Sequence, residues 1–194
     1  MGENIIMGIE IINLTKSFDD KIVLKDLSVE FPKGQITAIM GTSGCGKTTL
    51  LHIIMGIMEY EEGNIKGNGG KKSAVFQEDR LCMNLSAAAN IKLVNEKLTI
   101  KKIEENMKKI GLEGCLHLPV RELSGGMKRR IAILRAILSE YEILFLDEPF
   151  QGLDEDTKNT VIDYIKEKVK GKTVLMVTHD IEEAEKMDAN IFYL

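Results

Sequence analysis

The chain has 194 residues, 44% of them hydrophobic and 29% charged, which is the balance of a single globular domain large enough to bury one good core. A net charge of −4 argues against a nucleic-acid binder that relies on general basicity. Three scattered cysteines, Cys45, Cys82 and Cys115, form neither a C-x-x-C pair nor a disulfide framework, so a reducing cytoplasm is the expected setting. No apolar run approaches the length of a membrane span. The start, Met1-Gly-Glu-Asn-Ile-Ile6, has neither the basic opening of a signal peptide nor a hydroxyl at position 6 for myristoylation. Any membrane role is therefore expected to come through a partner.

In chain order, Gly8–Leu14 alternates as a strand, Thr15–Lys21 reads as a polar turn holding Phe18, and Ile22–Phe31 alternates again. The opening is thus a small antiparallel β layer. Gln35–Met40 is short and apolar, a buried strand, and Thr49–Gly56 reads as a helix. Glu59–Lys72 is charged and glycine-rich, a connection with one short strand, followed by the strand Ser73–Phe76 and Gln77. Leu85 to about Leu112 is helical in pattern, with Thr99 as an N-cap and Gly111 as a stop. Ser124 caps a further amphipathic helix. Glu142–Asp147 is an apolar strand, Thr157–Lys170 a helix, Lys172–Thr178 a buried strand, Ile181–Met187 a helix and Asn190–Leu194 a last strand. With Gly41–Thr48, which fits the P-loop pattern, lying between the strand Gln35–Met40 and the helix Thr49–Gly56, the expected class is α/β: a P-loop NTPase core with a mostly parallel sheet, an N-terminal antiparallel β layer and an inserted α-helical subdomain.

The stretch Gly41-Thr42-Ser43-Gly44-Cys45-Gly46-Lys47-Thr48 fits G-x-x-x-x-G-K-[ST], and it lies between a strand and a helix that begins near Thr49, as the motif requires. Gly41, Gly44 and Gly46 let the backbone curl so that N–H groups converge on phosphate oxygens. The helix start adds its positive dipole end. Lys47 can reach the β- and γ-phosphates, and Thr48 can place its hydroxyl on Mg²⁺. Cys45 sits in the loop, where Lys47 and the helix start favour a thiolate, or else it only fills space.

Asp147 and Glu148 end an apolar strand at the edge where ligands bind in parallel α/β sheets. Asp147 is placed to hold Mg²⁺, and Glu148 to polarise an attacking water. His179 follows another buried strand and is a candidate for a γ-phosphate contact. Ser124-Gly125-Gly126 makes a second anion-binding helix start. Phe18 is either strand-end packing or a stacking platform for a base.

The order P-loop, Gln77, Leu123-Ser-Gly-Gly126, Asp147-Glu148, Gly152-Leu-Asp154 and His179 resembles the ATP-binding subunit of ABC transporters, from about Ile9 to the end. The resemblance implies that Phe18 stacks on adenine, that Gln77 senses Mg²⁺ and that His179 is the switch histidine. It also implies that Ser124, Gly125, Gly126 and Asp154 act across a head-to-tail dimer holding two ATP molecules. It divides the single domain, 1–194, into a RecA-like core at about 1–79 and 140–194 and a helical subdomain at about 80–139. Implied partners are a second, identical ATPase subunit, integral membrane permease subunits and, indirectly, a solute-binding protein, with no nucleic acid. The implied location is cytoplasmic, on the inner face of the membrane. Met127 stands where many members have glutamine, and built-in regulation by a domain after the last strand is not expected. The Phe76–Leu81 segment is similar to importers for nitrate and sulfonates, and Asp79–Met83 is expected to help receive a membrane-subunit helix. The competing readings are a soluble ABC ATPase of DNA repair or translation, which the lack of a coiled-coil insertion and of a second ATPase half disfavours, and an unrelated P-loop kinase or GTPase.

Overall fold

The computed structural model describes residues 8–19 and 21–194. The extreme N-terminus, on which the signal-peptide and acylation expectations rest, lies outside them. Two sheets are present among the described residues. β1 (Ile9–Phe18), β2 (Lys21–Phe31) and β4 (Glu62–Lys66) form an antiparallel layer in the order β2-β1-β4. β3 (Ile36–Met40), β5 (Lys72–Val75), β6 (Ile143–Asp147), β7 (Thr173–Val177) and β8 (Asn190–Tyr193) form a second sheet in the order β5-β6-β7-β3-β8, with every pair parallel.

The parallel strands are apolar throughout because both of their faces are covered. Along β6, Ile143 and Phe145 face one apolar cluster while Leu144 and Leu146 face another. The first cluster fills the space between the two sheets together with α1 (Lys47–Met55), whose Leu50, Leu51 and Ile54 are fully buried. The second lies under α2 (Ala87–Lys92), α3 (Ile100–Lys109), α4 (Gly125–Ile137), α5 (Glu155–Lys168) and α6 (Ile181–Lys186). Truncating a side chain such as Leu144, which is 0% exposed, to alanine would cost about 2–5 kcal/mol.

The structure corrects two sequence expectations. The polar stretch Thr15–Phe18 continues β1 instead of turning, and the hairpin closes between Phe18 and Lys21, with Asp19 at φ +50°. Polar residues are at home there because Glu61 takes the Lys16 ammonium at 2.6 Å and the Ser17 N–H at 2.7 Å. The helical stretch after Leu85 is broken into α2 and α3. The break is a polar turn in which Asn95 accepts from the Lys97 N–H and donates to the Leu138 carbonyl. Thr99 then caps α3 by accepting from the Lys102 N–H at 3.2 Å, and Gly111 stops it at φ +67°.

Candidate functional site

The site lies at the C-terminal ends of β3, β5, β6 and β7. After Met40 the chain enters the glycine loop, where Gly41, Gly44 and Gly46 have φ of +151°, +77° and +107°. At Gly46 a Cβ would also sit 2.9 Å from Val23 Cγ1, so a side chain there would strain the loop twice over. Backbone of this kind aims successive N–H groups into one concavity. Lys47 opens α1 and is only 8% exposed. Its ammonium folds back over the loop and donates to the Gly41 and Thr42 carbonyls at 2.9 Å each.

Thr48 Oγ1 donates to Asp147 Oδ1 at 3.2 Å. Asp147 ends β6 and is 1% exposed. Burial raises its carboxyl above the ordinary value, against the opposing hydrogen bond from Thr48. The next residue, Glu148, takes φ +46°, unusual for a residue with a Cβ, and its N–H donates to the Val177 carbonyl at 2.9 Å. Its carboxylate accepts from His179 Nδ1 at 3.0 and 3.1 Å. That hydrogen bond, followed by the charge of Glu148, raises the imidazole above 6.5.

A cavity of about 320 Å³ joins these groups: Ser43, Gly44 and Gly46 from the loop, Lys47, Thr48 and Thr49 from α1, Gln77 beyond β5, Glu148 beyond β6, and the apolar walls Val23 and Val177. A larger groove of about 740 Å³ runs between Lys72 and Lys97 outside β5, but it contains none of these residues. Lys47, Thr48, Gln77 and Glu148 line the smaller one, with Asp147 joined to it through Thr48 and His179 through Glu148.

The other sequence candidates do not line this cavity. Phe18 ends β1, 44% exposed, with the Lys16 ammonium 5.1 Å from its ring centre. Val23, which the sequence reading passed over, supplies the apolar wall instead. Ser124 caps α4 by accepting from the Met127 N–H at 3.3 Å, beside Gly125 and Gly126. Asp154 caps α5 by accepting from the Thr157 N–H at 3.0 Å, which holds its carboxyl below the usual value. Ser124, Gly125 and Asp154 are exposed. Cys45 is half-buried, and Thr42 is exposed.

Two supports were also missed. Thr178 donates to the buried Glu183 and accepts from the Asp180 N–H at 3.1 Å, pinning the turn that carries His179. Arg129 of α4 is 4% exposed and reaches Asp79 Oδ1 at 3.2 Å. Its helical position gave a signal: Ala132, Ile133 and Ala136, three, four and seven residues on, are a buried apolar stripe, and a charge in line with them must have buried partners.

Residues 24–151 match the model of the family described as ABC transporter. The chain belongs to the ABC transporter family. This ABC cassette is 35% identical to the spermidine/putrescine import ATP-binding protein PotA of Acetivibrio thermocellus, over 98% of this chain and 59% of that protein. It is 33% identical to the taurine import ATP-binding protein TauB of Escherichia coli (strain K12), over 96% of this chain and 79% of that protein. The dimeric structure of MJ0796, a bacterial ABC transporter cassette, superposes with a TM-score of 0.82 at 29% identity, covering 96% of this chain and 94% of that one. A post-hydrolysis dimer of MJ0796 bound to ADP and Pi matches equally well, at 30% identity. The ABC cassette therefore has the P-loop NTPase fold that its sequence resembles, with the antiparallel sheet layered on the parallel one.

Proposed function

We propose that this ABC cassette is the ATP-hydrolysing subunit of an importer, powering passage of a small solute through separate membrane subunits. The observation that carries this reading is the convergence of Lys47, Thr48, Gln77 and Glu148, from three separate strand ends, on one cavity. The P-loop N–H groups and Lys47 bind the phosphates, and Phe18 stacks on the adenine. Glu148 accepts the proton of the attacking water, with His179 on the γ-phosphate side. Thr48 and Asp147, whose oxygens lie 3.2 Å apart, and Gln77 make a hard-oxygen set that fits Mg²⁺. When bound, Mg²⁺ would neutralise charge on the β- and γ-oxygens.

The exposed Ser124 and Gly125, with Gly126 and Asp154, meet the ATP of a second subunit in a head-to-tail dimer. The chain acts as one domain, with the helical part at about 80–139 riding on the core. Its place is the inner face of the membrane, beside a permease. The relatives' names give spermidine/putrescine and taurine as what is imported, and the sulfonate class fits the Phe76–Leu81 resemblance better.

Lys47→Ala is expected to lose ATP binding. Glu148→Gln is expected to keep binding, lose about 10²–10⁴-fold in turnover, and accumulate as an ATP-bound dimer on size exclusion. Normal hydrolysis by Glu148→Gln would reject the general-base assignment. Recovery of only soluble partners or nucleic acid with the native subunit, across several detergents, would reject the transport reading in favour of a soluble ABC ATPase.

A further inference from the structure

Arg129 lies in α4, one turn beyond the exposed Ser124 and Gly125, yet its side chain is buried against the segments that follow β5 and β6. Its Nε donates to the Pro149 carbonyl at 2.9 Å. One terminal nitrogen donates to the carbonyls of Phe76 at 2.6 Å and Gln77 at 3.3 Å and to Asp79 Oδ1 at 3.2 Å. The other donates to the Asp147 carbonyl at 2.8 Å and to that of Glu148. Five N–H donors in a rigid fork thus serve the backbone on both sides of the cavity. None of the contacts reaches a side chain placed in the chemistry. All but one are to main-chain oxygens of the segments that carry Gln77 and Glu148.

We infer that Arg129 is a positioning residue that locks the Gln77 and Glu148 segments together and ties both to the helix beginning at Ser124. The physical reason is geometric. Glu148 holds a backbone conformation that a residue with a Cβ rarely adopts, φ +46°, and needs surrounding bonds to fix it. The guanidinium holds the carbonyls of Asp147, Glu148 and Pro149 at once. A movement of α4 therefore carries both segments with it, and neither can shift alone without leaving part of a buried charge unpaired. Lysine can replace this function only in part, because a point charge with three donors cannot span both segments.

The inference rests on the ATPase reading above, and the test separates the two. ATP turnover and ATP binding stoichiometry are measured for the wild type, Arg129→Ala, Arg129→Lys, Glu148→Gln and Arg129→Ala/Glu148→Gln. The expected result for Arg129→Ala is a kcat about 100-fold lower with KM changed by less than about threefold, the size of effect that small misplacement of a catalytic group produces. Arg129→Lys should recover only part of the loss. In the Glu148→Gln background the second substitution should cost almost nothing further, because the group it positions is already gone.

Should Arg129→Ala fold poorly, Arg129→Lys, which keeps the charge, carries the same comparison. A kcat within about threefold of wild type in a variant that binds ATP fully would overturn the inference. So would a loss that tracks binding stoichiometry, which marks a merely structural role, or a full additional loss in the double variant. Absence of turnover in the wild type would instead remove the ATPase reading itself.

Discussion

At the scale of single residues, the Glu148–His179 pair is the most sensitive point. The imidazole is raised above 6.5 by its hydrogen bond to Glu148, so the charged pair is fully formed below 6.5 and is lost as pH rises through the higher folded value. The His179 side chain is 75% exposed, so solvent screening leaves the pair little weight in stability. Its effect is on where Glu148 points. Imidazole NMR should give a midpoint above 6.5 that falls back towards the ordinary value in Glu148→Gln, and an unmoved midpoint would refute the coupling. Asp147 behaves oppositely. Burial raises it, so its ionised form is a cost to the folded chain, relieved as pH falls through the raised value. Asp147→Asn should therefore raise the stability of the nucleotide-free protein by about 1 kcal/mol while weakening Mg²⁺-dependent ATP binding. Thermal unfolding and a Mg²⁺ titration of ATP binding check the two halves. These carboxylates were legible because a motif fixes their position relative to a strand end. Val23 was not, since nothing in a valine on a half-buried strand says that it borders a cavity.

The elements show where local pattern suffices and where it fails. Each residue read as a cap does cap its helix: Ser124 accepts from Met127 and Thr99 from Lys102. A cap is a local bond between near neighbours, so sequence carries it. The extension of β1 through Lys16 and Ser17 was not legible, because it depends on Glu61, a partner distant in sequence. The joint between α3 and α5 is of the same kind. Tyr164 donates to Asn106 Oδ1 at 2.8 Å, and Asn106 donates to the Lys102 carbonyl, with both side chains buried. Tyr164→Phe would leave Asn106 with an unpaired buried oxygen, and is expected to cost about 1–3 kcal/mol. Urea unfolding should show it as a lower midpoint. ATP turnover well below the urea transition should be nearly unchanged, since neither residue lines the cavity.

For the molecule as a whole, the alternation of apolar strands and amphipathic helices gave the α/β class, but strand order is a property of long-range pairing and was not in the pattern. That order has a cost during synthesis. Strand β3, which leads into the glycine loop, is flanked by β7 and β8, with Ile36 beside Val174 and Thr37 beside Asn190. As the nascent chain leaves the ribosome, β3 emerges long before either neighbour. Its Ala38, Ile39 and Met40, all buried in the finished fold, then have no sheet to join. Pairings this distant in sequence form slowly, and until they form the strand is open to aggregation. A chain truncated just before Thr173 should be cut by proteases within β3, whereas a chain carried through Tyr193 and freed from the ribosome should be protected there. Holding chaperones would have their longest engagement at the strand that later carries the glycine loop.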